Sequence, residues 1–172
     1  MRLGLCMESV PPIEEDEILL RRVPPSTPTM RLVELRSDGT ERVASVVMTP
    51  RKDRLTGACE EALSCSRLRL ISPMQLLENL RDGNPPIDPT GWRVCYFRVA
   101  DIRRIGDGPQ GFLDVRADPR TSPPIDLGHC GIYGSNGQPC PKGKSTVRRM
   151  AEVTQLFSED QVSRIQAGGK IS

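Results

Sequence analysis

The chain holds a single histidine, His129, set in the stretch GHCGIYG between Gly128 and Gly131. Imidazole is the one side chain whose ordinary pKa suits proton transfer near neutrality, and small neighbours let another group come close. Cys130 follows directly, but adjacent residues on a strand point to opposite faces, so Cys130 is not its nucleophilic partner. A partner must come from elsewhere, and Cys95, Ser64, Ser66 and Asp118 are the candidates. The competing reading is a structural histidine bonded to a loop carbonyl. Zinc suits the ligand types of His129, Cys130 and Cys140, yet no closely spaced cysteine pair exists to build such a site.

The other stretch with chemical promise is GSNGQPCPKGKST, residues 134–146. A phosphate-binding P-loop needs two glycines separated by four residues before Lys-Ser/Thr, so that backbone N–H groups wrap the anion. Here Gly137 and Gly143 are separated by five residues, and Pro139 and Pro141 between them have no N–H to give. The stretch is therefore not a P-loop. It reads as the start of a helix capped by Ser145 or Thr146. What survives is an anion-binding surface made of Lys142, Lys144, Arg148 and Arg149, in a region from Leu127 to Ala151 that contains no acid.

These residues sit in a chain of 172 amino acids, a length that suits one domain. Apolar residues make up 37% and aromatic ones only 3%, so the core must rest on Leu, Ile and Val. Sixteen prolines and fifteen glycines cut the chain into short elements joined by long connections. A net charge of +2 does not by itself call for nucleic acid. The opening MRLGLCMESV has no apolar stretch fit for a secretory leader, and Met7 is a second candidate for the initiating residue. The six scattered cysteines then read as reduced thiols of a cytoplasmic, membrane-free protein.

The elements that must position the candidates follow from local pattern. EILLRRV, residues 17–23, is an apolar run stopped by prolines and predicts a strand. Residues 30–48 predict a hairpin turning at Ser37-Asp38-Gly39, its second strand running through Val43, Val46 and Val47. SCSRLRLI alternates as a strand should, and SPMQLLENLRDG predicts a helix over 73–81 with Ser72 as cap and Pro73 at its first position. WRVCYFRVA and GFLDVRAD predict further strands, with one helical turn at ADIRRIG between them, and GHCGIYG a short strand closing the sheet. Helices over about 146–156 and 159–166 end the chain, the first burying Val147, Met150, Ala151 and Thr154. The expected fold is α+β: a small, mostly antiparallel sheet, a few short helices with two at the carboxyl end, and a large loop fraction. It spans 17–167 as one domain, with flexible segments at 1–16 and 168–172. Pro-Pro-Ile-Glu/Asp occurs three times, at Pro11, Pro85 and Pro123, and each copy predicts an extended lead-in that tucks its isoleucine onto the domain.

LLRRVPP near the start, LSCSR midway and VRADPRTSPPIDLGHCGIYG later resemble a set of small bacterial proteins of unassigned function. The shared pattern falls on Arg21, Arg22, Leu63, Ser64, Asp118, Pro119, His129 and Gly134. The chain departs from it in the longer spacer after Pro119 and in the cysteine after the histidine. The resemblance implies bacterial origin and carries no activity with it. His129, Asp118, Ser64 and Arg22 form the candidate catalytic set. Two functions are consistent with these residues. One is a binding or accessory module that engages a protein partner or a polyanion such as nucleic acid through Lys142, Lys144, Arg148 and Arg149. The other is a small nucleotide- or nucleic-acid-directed transferase or hydrolase using His129. Neither calls for a cofactor or a metal.

Overall fold

The computed structural model describes residues 10–51, 56–108, 111–135, 138 and 143–171. Its centre is a six-stranded antiparallel sheet in the order β6-β7-β4-β1-β5-β8, with β2 and β3 forming a separate hairpin. The strands are β1 (Ile18–Val23), β2 (Val33–Leu35), β3 (Glu41–Val43), β4 (Leu63–Arg67), β5 (Arg93–Arg98), β6 (Asp114–Ala117), β7 (His129–Tyr133) and β8 (Gln155–Leu156). Four short helices complete the α+β fold: α1 (Pro73–Glu78), α2 (Val99–Arg103), α3 (Lys144–Glu152) and α4 (Glu159–Arg164). No helix among the described residues is long and apolar enough to cross a membrane.

Alternation along the strands sends two sets of side chains to two faces. Leu19 and Val23 of β1 join Leu63, Cys65, Cys95, Phe97, Cys130 and Ile132 in the larger core, covered by Val147 and Met150 of α3. Leu20 and Val94 face the other way, into a smaller core with Leu68, Ile71, Leu76 and Phe157. Tyr96 stacks on Phe157 there, ring centroids 4.3 Å apart. With so few rings, aliphatic burial worth about 1.5–3 kcal/mol per side chain supplies most of the cohesion.

Ser72 caps α1 as its sequence predicts, accepting from the Gln75 amide, and the Ser158–Gln161 capping box opens α4. Five expectations change. Val46 and Val47 do not extend the hairpin: Ser45–Met48 is a 3₁₀ turn that drops Val47 and Met48 into the larger core. The β7 strand does not close the sheet but lies inside it, paired with β6 and β4. Helix α3 starts at Lys144 with Gly143 as its cap and no side-chain cap bond, while the Thr146 hydroxyl turns to the Gly106 carbonyl. The same helix stops at Glu152, because Gln155 and Leu156 pair with the free edge of β5. Of the three Pro-Pro-Ile strings only the first tucks in its isoleucine; Ile13 packs against the core, whereas Ile87 and Ile125 stay exposed.

Candidate functional site

The β1–β4 pairing is short. Leu19 pairs with Arg67 and Leu20 with Ser66, and the register ends there, although both strands continue. Beyond Leu20 the Arg21 side chain takes over. Its Nε donates to the Val47 carbonyl at 2.9 Å and its Nη1 to the Ser64 carbonyl at 2.6 Å, groups a neighbouring strand would otherwise have to satisfy. The two strands therefore part like a wedge around a buried arginine.

On the smaller-core side of this wedge lies a cavity of about 30 Å³, room for one water-sized group. Arg22, Ser64, Ser66, Asp126, Arg120 and His129 are among its walls. Strand register explains the grouping: Leu20 sits opposite Ser66, and Ser66 opposite His129, so Arg22, Ser64, Ser66 and His129 share one face. Helices α1 and α4 cover the β1–β5 half of that face, and the loop from Asp118 to Gly128 folds over the rest. Paired backbone bonds between Arg120 and Asp126 shape the loop, and Asn79 of α1 donates to the Ile125 carbonyl to hold it down. Asp126 is fixed on both oxygens, accepting the Ser66 hydroxyl at 2.5 Å and the Gly128 amide at 2.9 Å.

His129 is 6% exposed. Its Nδ1 lies 2.8 Å from the Asp118 main-chain oxygen and 3.3 Å from the Asp118 carboxylate. Both are acceptors only, so Nδ1 carries the ring proton and Nε2 keeps a lone pair. Burial lowers the His129 pKa, and the Arg120 charge adds to this. The Asp118 carbonyl bond and the charges of Asp118 and Asp126 act in the opposite direction without cancelling it. The ring is thus held neutral near pH 7. Its buried Nε2 has no hydrogen-bond partner among the described residues.

Arginine chemistry at the wedge is unbalanced. Burial lowers the Arg22 pKa, followed by repulsion from Arg120 and Arg51, with only Asp126 acting to raise it. The guanidiniums of Arg22, Arg51 and Arg120 make no hydrogen bond or ion pair among the described residues. Many arginines elsewhere have carboxylate partners, as in Arg42–Glu34, Arg93–Glu41, Arg116–Asp114 and the close Arg103–Glu15 pair, although Arg31, Arg36 and Arg98 also make no ion pair among the described residues.

The structure brings His129, Asp118, Ser64 and Arg22 together, with Asp118 behind the imidazole rather than in the cavity wall. Cys95 and Cys130 belong to the larger core on the opposite face, and burial raises both thiols. The glycines beside His129 serve the protein's own packing. A Cβ on Gly131 would meet the Ala62 Cβ at 2.6 Å, and one on Gly128 would meet Leu70 and the Arg67 backbone. Arg120, Asp126 and the buttress role of Arg21 escaped sequence reading. Asp126 ends a Pro-Pro-Ile-Asp string indistinguishable by pattern from the copy at Pro85, and only the fold places it over Ser66.

The basic set at the carboxyl end is dispersed. Lys142 lies outside the described residues, and Lys144 is exposed. Arg148 pairs with Glu152 at 3.4 Å, and Arg149 donates to the Ser145 hydroxyl. Glu34 lines the same groove as Arg148, and Asp101 the same hollow as Arg149. No group of three or more His, Cys, Asp or Glu side chains among the described residues is placed to hold a metal ion. No protein family, curated protein or solved structure matches the chain.

Proposed function

We propose that the protein is a small enzyme that moves a proton at His129 Nε2 in the wedge between β1 and β4. One observation carries this reading: a buried imidazole nitrogen with its lone pair free, on a ring whose other nitrogen is tied to Asp118. A hydroxyl or water in contact with Nε2 gives up its proton to it while its oxygen bonds to an ester's electrophilic centre; the bond to the leaving oxygen then breaks, and the proton passes from Nε2 to that leaving group. The imidazolium so formed is stabilised by the Asp118 carboxylate beside Nδ1. Arg22 and Arg120 favour negative charge developing on the substrate, as a transfer or hydrolysis step requires. Ser66, whose proton goes to Asp126, positions; Ser64, in the same wall, has its hydroxyl available to contact substrate.

The test uses p-nitrophenyl phosphate and p-nitrophenyl acetate as chromogenic substrates. Turnover of either should rise with pH through the His129 titration and disappear in His129→Gln with the fold retained by circular dichroism. No turnover of either ester by the native chain, or undiminished turnover in His129→Gln, removes the reading. A binding module for a protein or polyanion is the second reading, favoured by the outward placement of Lys144, Arg148 and Arg149 on α3. Salt-sensitive oligonucleotide binding that weakens in Arg148→Ala would support it. The carboxylates around those arginines give it less support than the wedge gives the enzyme.

A further inference from the structure

A second cavity, of about 200 Å³, shares Arg21 and Arg22 as walls with the histidine cavity. Its other walls include Met30, Leu32, Val46, Val47 and Arg51, with no carboxylate among the described residues that line it. Met30 and Val46 are 45% and 41% exposed, an unfavourable state for apolar side chains at the lip of a hollow. Arg22 thus stands between a polar pocket and an apolar one, with Arg120 lining the first and Arg51 the second.

We propose that the wedge binds an oxyanion carried on a compact apolar body, the anionic group held by Arg22 with Arg51 and Arg120, and the body lodged against Met30, Leu32 and Val46. This inference rests on the proposed enzyme reading and names its substrate class. Three guanidiniums without a hydrogen bond or ion pair among the described residues gather around a site whose one lining carboxylate among those residues, Asp126, is already engaged on both oxygens by Ser66 and Gly128. An arginine half withdrawn from water and repelled by two others is stabilised most by a bound anion, and guanidinium geometry matches the paired oxygens of phosphate or carboxylate. Inorganic anions would satisfy the charge but leave the apolar hollow in water. A neutral apolar molecule would fill the hollow and leave the charges unmatched. Only a ligand with both parts answers both halves of the site.

Phenyl phosphate, benzoate, inorganic phosphate and phenol are the probes, titrated into the full chain by calorimetry and by proton NMR. Phenyl phosphate or benzoate should bind at least about tenfold more tightly than inorganic phosphate, with phenol weaker still; the stronger of the first two identifies phosphate or carboxylate as the group held. Both Arg22→Gln and the exposed-site variant Arg120→Gln should weaken the preferred probe, the former by about tenfold or more, while Arg149→Gln leaves it unchanged. Failure of both organic anions to bind at millimolar concentration, or equal binding to Arg22→Gln, overturns the ligand class. The lone imidazole separates the two readings. Binding that leaves the His129 resonances and titration unmoved keeps the ligand class and removes His129 chemistry, whereas absent binding with ester turnover intact does the reverse.

Discussion

Arginines stand at both ends of the short β1–β4 pairing, and buried Arg67 at one end and half-buried Arg22 at the other are treated in opposite ways. At one end Arg67, fully buried, donates through Nε to Glu17 at 2.7 Å and through Nη2 at 2.5 Å, and reaches the carbonyls of Pro11 and Pro12 at 2.6 and 2.9 Å. There the strands stay joined, and the Leu68 amide continues the contact by donating to Ile18 at 3.0 Å. At the other end Arg21 donates to two carbonyls, but its neighbour Arg22 faces Arg51 and Arg120 with no partner of its own among the described residues. Burying charge is costly at either end. The difference shows that charge alone does not mark a site of chemistry; charge left unanswered does.

The largest test of this contrast is Arg67→Met. It should lower stability by about 3–5 kcal/mol in urea unfolding, because Glu17 is left buried without its partner. Adding Glu17→Leu should recover part of that loss. A single substitution that costs less than about 1 kcal/mol would erase the contrast.

Arg21→Met comes next, expected to cost about 2–3 kcal/mol as the Val47 and Ser64 carbonyls lose their donors. Acid titration should separate the ends further. Burial raises the Glu17 pKa, but the Arg67 hydrogen bond, the Glu14 amide and the charges of Arg67 and Arg69 outweigh it and leave the value lowered. Its stabilisation is present above 4.5 and drains away as pH falls through the folded value. His129 is also lowered, so the unfolded chain takes up its proton first. Stability should then begin to fall below pH 6.5, and this earlier phase should vanish in His129→Gln. An unchanged profile in that variant would show that the imidazole is not held neutral.

The smallest expected effect has the opposite sign. Arg22→Met should leave stability unchanged or raise it by up to about 1 kcal/mol, since it removes repulsion without orphaning a carbonyl. A loss as large as that of Arg21→Met would mean Arg22 is structural after all.

Much of the fold was legible because its signals are local. Pro24 and Pro25 bound β1, Ser72 and Pro73 open α1, and the Val147–Met150 spacing turns α3 inward. The 3₁₀ turn at Ser45–Met48 and β8 were harder, since their residues are held by partners distant in sequence: Val47 by Arg21, and Leu156 by Cys95. The site was half visible. His129 stands out by type, Ser64 and Asp118 enter as polar partners for it, and Arg22 enters only with the resemblance. That they converge depends on a register between β1, β4 and β7 that no short stretch encodes. Arg120 and Asp126 come from a loop with the composition of a mere connector, and only its backbone bonds bring them over the cavity.

Because β1 and β4 touch through so few rungs, the sheet amounts to two three-strand ribbons, β6-β7-β4 and β1-β5-β8, fastened near one end of their common seam. Whatever molecule lodges between Arg22 and His129 leans on both ribbons at once. Occupancy and stiffening then become a single event, and slowed amide exchange along the seam would report arrival of a guest before any product is seen.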